Sequence, residues 1–308
     1  MLGNSFNSLF DLVKFFDSEE KCIQYLEELV WYNGVVSPFN PESKVYKCAG
    51  NKYKCKNTGK YFNVRTNTMF DSTKISLQKW FMAIWLITSH KKGISSHQLA
   101  KDIKITQKTA WFMLHRIRKC YGIENNHVLD NEVEADETFI GGAEKNKHAN
   151  KKTEGTQGRS TKTKTPIVGM VERKGKLVAK KVDSTSSKHL TPELINSVKE
   201  AATLYTDEWL GYKGIDKLYN HLYVKHNEKE FVNGNIYTNT IEGFWSLLKR
   251  GIMGIYHFVS KKHLQQYVDE FVFRYNTRKY ESETLRFDYL LSVVSNNYLP
   301  YKKLIAVA

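Results

Sequence analysis

Apolar residues recur at helical spacing near the start of the chain, at Leu9, Leu12, Val13 and Phe16, and a second helical run follows from Cys22 to Val30. Residues 1–30 are therefore expected to form N-terminal helices. Over 31–72 the pattern changes. Pro38, Pro41, Gly50 and Gly59 punctuate short stretches such as SKVYKC and KYFNV, which predicts a small β-rich module. SLQKWFMAIWLITS then reads as a strongly apolar helix capped by Ser76 and broken by KKG. Ser95 or Ser96 is placed to cap a short helix over HQLAKDI, KIT makes a turn, and Thr106 caps QKTAWFMLHRIRKCY. Two helices joined so tightly predict a helix-turn-helix within residues 73–122. In that motif the second helix enters the major groove, which puts Gln107, Lys108 and Thr109 at base edges and leaves Arg116, Arg118 and Lys119 for phosphates.

After Gly122 the period shortens. NEVEADETFIGG alternates as a strand, TPIVGMVERKGKLVAKKV reads as a hairpin turning at Lys174-Gly175, and ATLYTDEW is a further strand. Between the first strand and the hairpin lies KNKHANKKTEGTQGRSTKTKT, a polar, basic, aromatic-free tract that cannot bury a core and reads as a mobile loop. Helices are expected over TPELINSVKEA, with Thr191 as N-cap and Pro192 at the first helical position, and over TIEGFWSLLKR and KKHLQQYVDEFVFRYNTR. Strand, hairpin, helix, strand and then helices predict an α/β arrangement with a mixed sheet.

The stretch TNTIEGFWSLLKRGI carries an apolar stripe of Ile241, Phe244, Trp245 and Leu248. Beside it stands Glu242, and Lys249 follows seven residues later. Seven residues at 100° each return to within about 20° of the same direction, about 10 Å along the axis.

Composition narrows the partners. The 308 residues include 47 Lys+Arg against 32 Asp+Glu, a net charge of +15, and the sequence pI is about 9.4. That balance points to a polyanion, with nucleic acid first. No apolar run is long enough to span a bilayer, and MLGNSFNSLFDLVKFF lacks the flanks of a signal peptide, so no membrane is expected and the cytoplasm, in association with the nucleoid, is the expected location. Cys22, Cys48, Cys55 and Cys120 are too few for a disulfide framework and form no CxxC pair. His221, His226, His257 and His263 form no compact zinc motif.

Asp136, Asp207 and Glu242 each sit at the end of an element beside a strongly apolar segment. Clustered carboxylates repel and are stabilised by a divalent cation, and a pair of such ions suits phosphodiester chemistry. By residue type alone, Glu134, Glu137 and Glu208 serve equally well.

The stretches VEADETFIGGAEKNKH, LYTDEWLGYKG, YTNTIEGFWSLLKRGIMGIYHFVSKKHLQQYVDEFVFRYNTR and KGISSHQLAKDIKITQKTAWFMLHRIR resemble the insertion-sequence transposases of the ISXO2-like group, in that family's order, across roughly residues 25 to 290. The resemblance implies an RNase H-like, retroviral-integrase-like catalytic domain over 128–290, followed by a tail at 291–308. It implies a DDE triad of Asp136, Asp207 and Glu242 binding two Mg²⁺ or Mn²⁺ ions, and a basic residue below the glutamate, here Lys249, with Arg250 beside it, as a DNA clamp. The intervals of 71 and 35 residues suit that pattern.

The implied chemistry is hydrolysis at the element's ends followed by attack of the freed 3′-hydroxyl on target DNA, with at least a dimer assembled on the DNA. Tyr205, Tyr212 and Tyr237 are expected to pack or to touch DNA rather than to act as nucleophiles. The family opens with a four-cysteine zinc ribbon. Here Ser37-Pro38-Phe39-Asn40 and Cys55-Lys56-Asn57-Thr58 stand in place of its knuckles, so the module over 31–72 is a degenerate ribbon with no zinc. It should instead rely on packing by Trp31, Tyr46, Tyr53, Tyr61 and Phe62 against the helix around Trp80. Two other readings stay open: a transposase-derived DNA-binding protein that no longer cuts, and an RNase H-like nuclease without strand transfer.

Overall fold

The computed structural model describes residues 6–142, 146–156, 160–224, 232 and 234–306. Residues up to 120, together with those from 279 onward, form one compact unit, and residues 121–278 form another.

The first unit opens with α1 (Leu9–Phe15) and α2 (Glu19–Val30), started by Ser8 and Ser18, whose hydroxyls accept from the backbone N–H of Asp11 and Lys21. β1 (Val45–Cys48), β2 (Lys52–Cys55) and β3 (Tyr61–Phe62) make a small antiparallel sheet. Its inner face buries Tyr53, Cys55 and Phe62 against Trp31, Val35 and Val45. Tyr46 and Tyr61 do not join this core, which corrects the packing expected of them. Register sets Tyr46 opposite Lys54 and Lys54 opposite Tyr61, on the outward face, and the two rings are 42% and 59% exposed. Trp80 packs on Phe70 rather than on the ribbon cluster, and the ribbon is tied to α2 through Tyr53, whose hydroxyl donates to Glu27 at 3.1 Å.

α3 (Leu77–Ser89) is capped by Ser76, as read. α4 (Ser96–Asp102), capped by Ser95, and α5 (Gln107–Tyr121), whose first turn is held by the Thr106 hydroxyl, follow as a tight pair.

In the second unit β4 (Glu132–Ile140), β5 (Thr165–Glu172) and β6 (Leu177–Lys181) run antiparallel, the hairpin turning at Lys174-Gly175 as read. α6 (Ser187–Ser197) begins at Ser187, well before Thr191, with Pro192 inside it. The earlier start buries Leu190 as well as Leu194 on the sheet. β7 (Thr203–Asp207) lies parallel to β4, and β8 (Asn220–Val224), which the polar-apolar pattern did not reveal, lies parallel to β7. The order β6-β5-β4-β7-β8 makes a mixed five-stranded sheet in an α/β unit. α7 (Asn239–Gly251) and α8 (Leu264–Asn276) cover one face, burying Ile241, Phe244, Trp245 and Leu248 with Val171, Val268 and Phe271. Between β4 and β5, most of the basic tract has no strand or long helix, and residues 143–145 and 157–159 lie outside the described residues.

The last helices, α9 (Glu283–Ser292) and α10 (Tyr301–Ile305), belong to the first unit. Phe287 meets Phe81 and Phe16, 5.4 and 6.1 Å between ring centres. The second unit therefore ends near 278 instead of 290, and residues 291–306 are packed chain rather than a tail. No described helix is long and apolar enough to cross a membrane.

Candidate active site

The sheet brings the expected acids together through register. Glu134 pairs with Tyr205 across the parallel β4–β7 edge. Asp136 and Asp207 each lie two residues further along, at the same level, just past the last β4–β7 pair: β7 ends at Asp207, while β4 runs on to Ile140 and places Asp136 mid-strand rather than at an end. Alternation turns Asp136 toward α7, and Gly169, its partner on β5, leaves the space that α7 fills. A Cβ there would lie 2.5 Å from the Trp245 ring and 2.9 Å from Ile241. This close approach seats Trp245 Nε1 3.0 Å from the Asp136 carboxylate, to which it donates. One turn back on α7, Glu242 lines the same open cleft. The lining residues are Asp136, Glu137, Thr138, Asp207, Glu242, Trp245, Ser246 and Lys249. Lys249 stands on the rim, two turns along α7 from Glu242, as helix spacing requires.

The cleft is electrostatically uncompensated. Burial, reinforced by the Asp207 charge and in smaller part by Glu242, pushes the Asp136 carboxyl from its ordinary 3.8 up to about 7, despite hydrogen bonds from the Glu137 N–H and Trp245. Asp207 receives the N–H of Trp209 at 3.0 Å, and Glu242 receives the hydroxyl of Thr238 at 3.1 Å. Oxygen atoms of Asp136, Glu137 and Asp207 all lie within 4.8 Å of one another, the one such group of three among the described residues.

Of the acids that residue type left open, Glu137 joins this group from the opposite face of β4, receiving the Tyr212 hydroxyl at 3.1 Å. Glu134 is fully buried and turned away toward the start of α7. Tyr205 and Tyr237 pack on the two sides of Arg173, 4.0 and 3.8 Å from its guanidinium. Oxygen donors in this number and charge suit a hard divalent cation such as Mg²⁺ or Mn²⁺.

The expected DNA contacts divide. Gln107, Lys108 and the partly exposed Thr109 stand on the first turn of α5, with Gln107 donating to Ser96 at 2.8 Å. Arg250 is exposed on α7. Arg116 and Arg118, at 2% and 1% exposure, are inside the first unit and cannot hold phosphates. Arg116 instead ties chain segments together, donating to the carbonyls of Met69, Asp71 and Leu299 at 2.9, 2.6 and 3.0 Å. Lys119 is partly buried and donates to the Tyr298 carbonyl at 2.8 Å. The segment near 298 covers this side of α5, a contact that helical spacing cannot reveal. His226 lies outside the described residues.

Around Cys55 the side chains bond the local backbone. Ser37 Oγ accepts from the N–H groups of Phe39 and Asn40 at 3.2 and 3.4 Å, and Ser43 Oγ from Asn57 at 3.0 Å. Cys55 is fully buried among these groups. Burial raises its thiol, but hydrogen bonds from Ser37, Ser43 and Thr58 outweigh that and bring it from 9.0 to about 6.

A protein of the transposable element ISH50 in Halobacterium salinarum, of uncharacterised function, is 28% identical over 85% of this chain and 92% of its own. A transposase-like protein of Haemophilus influenzae is 27% identical over 33% of this chain and 82% of its own. Among solved structures, a pre-cleavage Mos1 transpososome is similar at 12% identity and a TM-score of 0.25, covering 65% of this chain and 74% of that one. Residues 128–276 match the ISXO2-like transposase domain.

Proposed function

We propose that this transposase binds the ends of an insertion sequence, cleaves them by Mg²⁺- or Mn²⁺-dependent phosphodiester hydrolysis and joins the freed 3′-hydroxyls to target DNA. The observation that carries this reading is the convergence of Asp136, Asp207 and Glu242 on one cleft with Lys249 at its rim. The charged neighbours that act most on Asp136 are both acids, an arrangement that favours a bound cation. An RNase H-like fold is supported by a mixed sheet whose neighbouring strands β4 and β7 carry Asp136 and Asp207.

Asp136, Asp207 and Glu242 would hold the ions, with Glu137 near enough to contribute. Ions held there would supply Lewis-acid activation of an attacking oxygen and charge stabilisation of the leaving one. Trp245 orients Asp136 by its indole N–H. Lys249 takes a phosphate of the element's end. Gln107, Lys108 and Thr109 read base edges from the start of α5, and two ends held together require at least a dimer.

Asp136→Asn, Asp207→Asn and Glu242→Gln are each expected to lower Mg²⁺-dependent cleavage of an end-containing duplex by on the order of a thousandfold, the scale lost with a main electrostatic contributor. Binding of that duplex should persist. Full cleavage by any one of the three would sink the assignment. A protein that binds DNA but no longer cuts is the second reading, favoured only by the missing ribbon cysteines. The intact ribbon core weighs against decay there.

A further inference from the structure

α7 carries Glu242, yet its own cap residue does not cap it. Thr238 makes no side-chain bond to the first-turn N–H groups and turns its hydroxyl to Glu242 instead. The exposed donors are met from the sheet. Glu134, fully buried on β4, accepts from the N–H of Thr240 at 2.8 Å and of Ile241 at 3.2 Å through one oxygen. Its other oxygen accepts from the Thr240 hydroxyl at 2.8 Å and from Arg173 Nε at 3.0 Å. Arg173 in turn donates to the Tyr237 carbonyl at 3.1 Å, just ahead of the helix.

A carboxylate here meets the positive end of the helix dipole, and the guanidinium keeps its charge from adding to that of Asp136, two residues away on the same face. Four donors converge on Glu134, and a glutamine would put an NH₂ against one pair of them.

We propose that Glu134 is a positioning residue, a cap supplied by the strand that fixes where α7 starts and so sets Glu242 opposite Asp136 and Asp207. Arg173 is its counter-ion and holds the chain entering α7. This inference rests on the metal-dependent reading above, and it assigns work to a carboxylate outside the triad.

The test is Mn²⁺ binding to the full-length chain, measured by calorimetry without DNA. Glu134→Gln is expected to weaken Mn²⁺ binding about 10- to 100-fold, the range for losing a group that orients metal ligands. Its Mg²⁺ half-saturation for cleavage should rise in parallel, and its affinity for an end duplex should stay within about twofold of wild type, because the residues proposed to touch DNA are left in place.

A purely structural Glu134 would lower the melting temperature and leave Mn²⁺ affinity unchanged, which would overturn the proposal. Should Glu134→Gln fail to fold, Thr240→Val and Arg173→Lys decide: each is expected to weaken Mn²⁺ binding several-fold, and unchanged affinity in both overturns it. Wild type that binds no Mn²⁺ overturns the functional reading and this inference together. Wild type that binds while Glu134→Gln binds equally well overturns this inference alone.

Discussion

Two regions of this protein stand where metal ions are expected by resemblance, and they have gone opposite ways. In the small sheet module the hydroxyls of Ser37 and Ser43 accept from the backbone near buried Cys55, over a core of Trp31, Tyr53 and Phe62. The hydroxyls of Ser37, Ser43 and Tyr53 there have partners inside the protein. In the cleft, Asp136 and Asp207 are brought together by the sheet with Glu242 lining the same space from α7, and the charges that act most on Asp136 are like charges. A site that satisfies itself needs no ion, whereas one held in mutual repulsion is built for a ligand from outside.

The contrast is broken most sharply by pH. Asp136 has a folded pKa near 7 against 3.8 unfolded, so the folded chain holds the extra proton between about pH 4 and 7. Apo stability should therefore fall as pH rises through that window and level off above it. A cation must displace the same proton, so Mn²⁺ affinity should drop about tenfold per unit below pH 7. Asp136→Asn should melt higher than wild type at pH 8 without metal, with the gap closing near pH 4. Mn²⁺ affinity that is flat between pH 5 and 7 would remove the case for a frustrated carboxylate.

A second test reverses the ribbon's course. Ser37→Cys, Asn40→Cys and Thr58→Cys together with Cys55 make two CxxC knuckles. This triple variant should bind one Zn²⁺ per chain by chelator competition and melt about 5 to 10 °C higher when loaded, as a structural zinc contributes folding energy. No zinc uptake would mean that the knuckle positions no longer converge.

The smallest effect is expected at Cys55 itself. Its thiol is lowered to about 6, so its contribution to stability should be complete above pH 9 and lost as pH falls through 6, opposite in slope to Asp136. Cys55→Ser should flatten the rise in melting temperature between pH 6 and 9. An unchanged rise would trace it to other groups.

Much of the cleft was legible because its signals are local. The stripe of Ile241, Phe244, Trp245 and Leu248 is a property of one helix, and so is the return of Lys249 to the side of Glu242. Ser76, Ser95 and Thr106 cap where their short side chains precede apolar runs. Asp136 and Asp207 lie in short apolar stretches that read as strands, although Asp136 proves to be mid-strand and only Asp207 ends one. Arg116 and Arg118 were misread for the complementary reason. On an isolated helix they look like surface, and what covers Arg116 comes from 69–71 and 299. β8 was missed because NHLYV is short and carries polar Asn220 and His221 at its start.

By itself the sequence determined most of the helices and strands and which carboxylates they carry, since these depend on neighbours within a few positions. Only the tertiary structure decided that Glu134 caps a helix while Asp136, two residues on, faces other acids. Each role is set by groups from distant parts of the chain: Arg173 and Thr240 in one case, Asp207 and Glu242 in the other. Identical side chains on one strand face acquire different chemistry from the charges that folding brings to them.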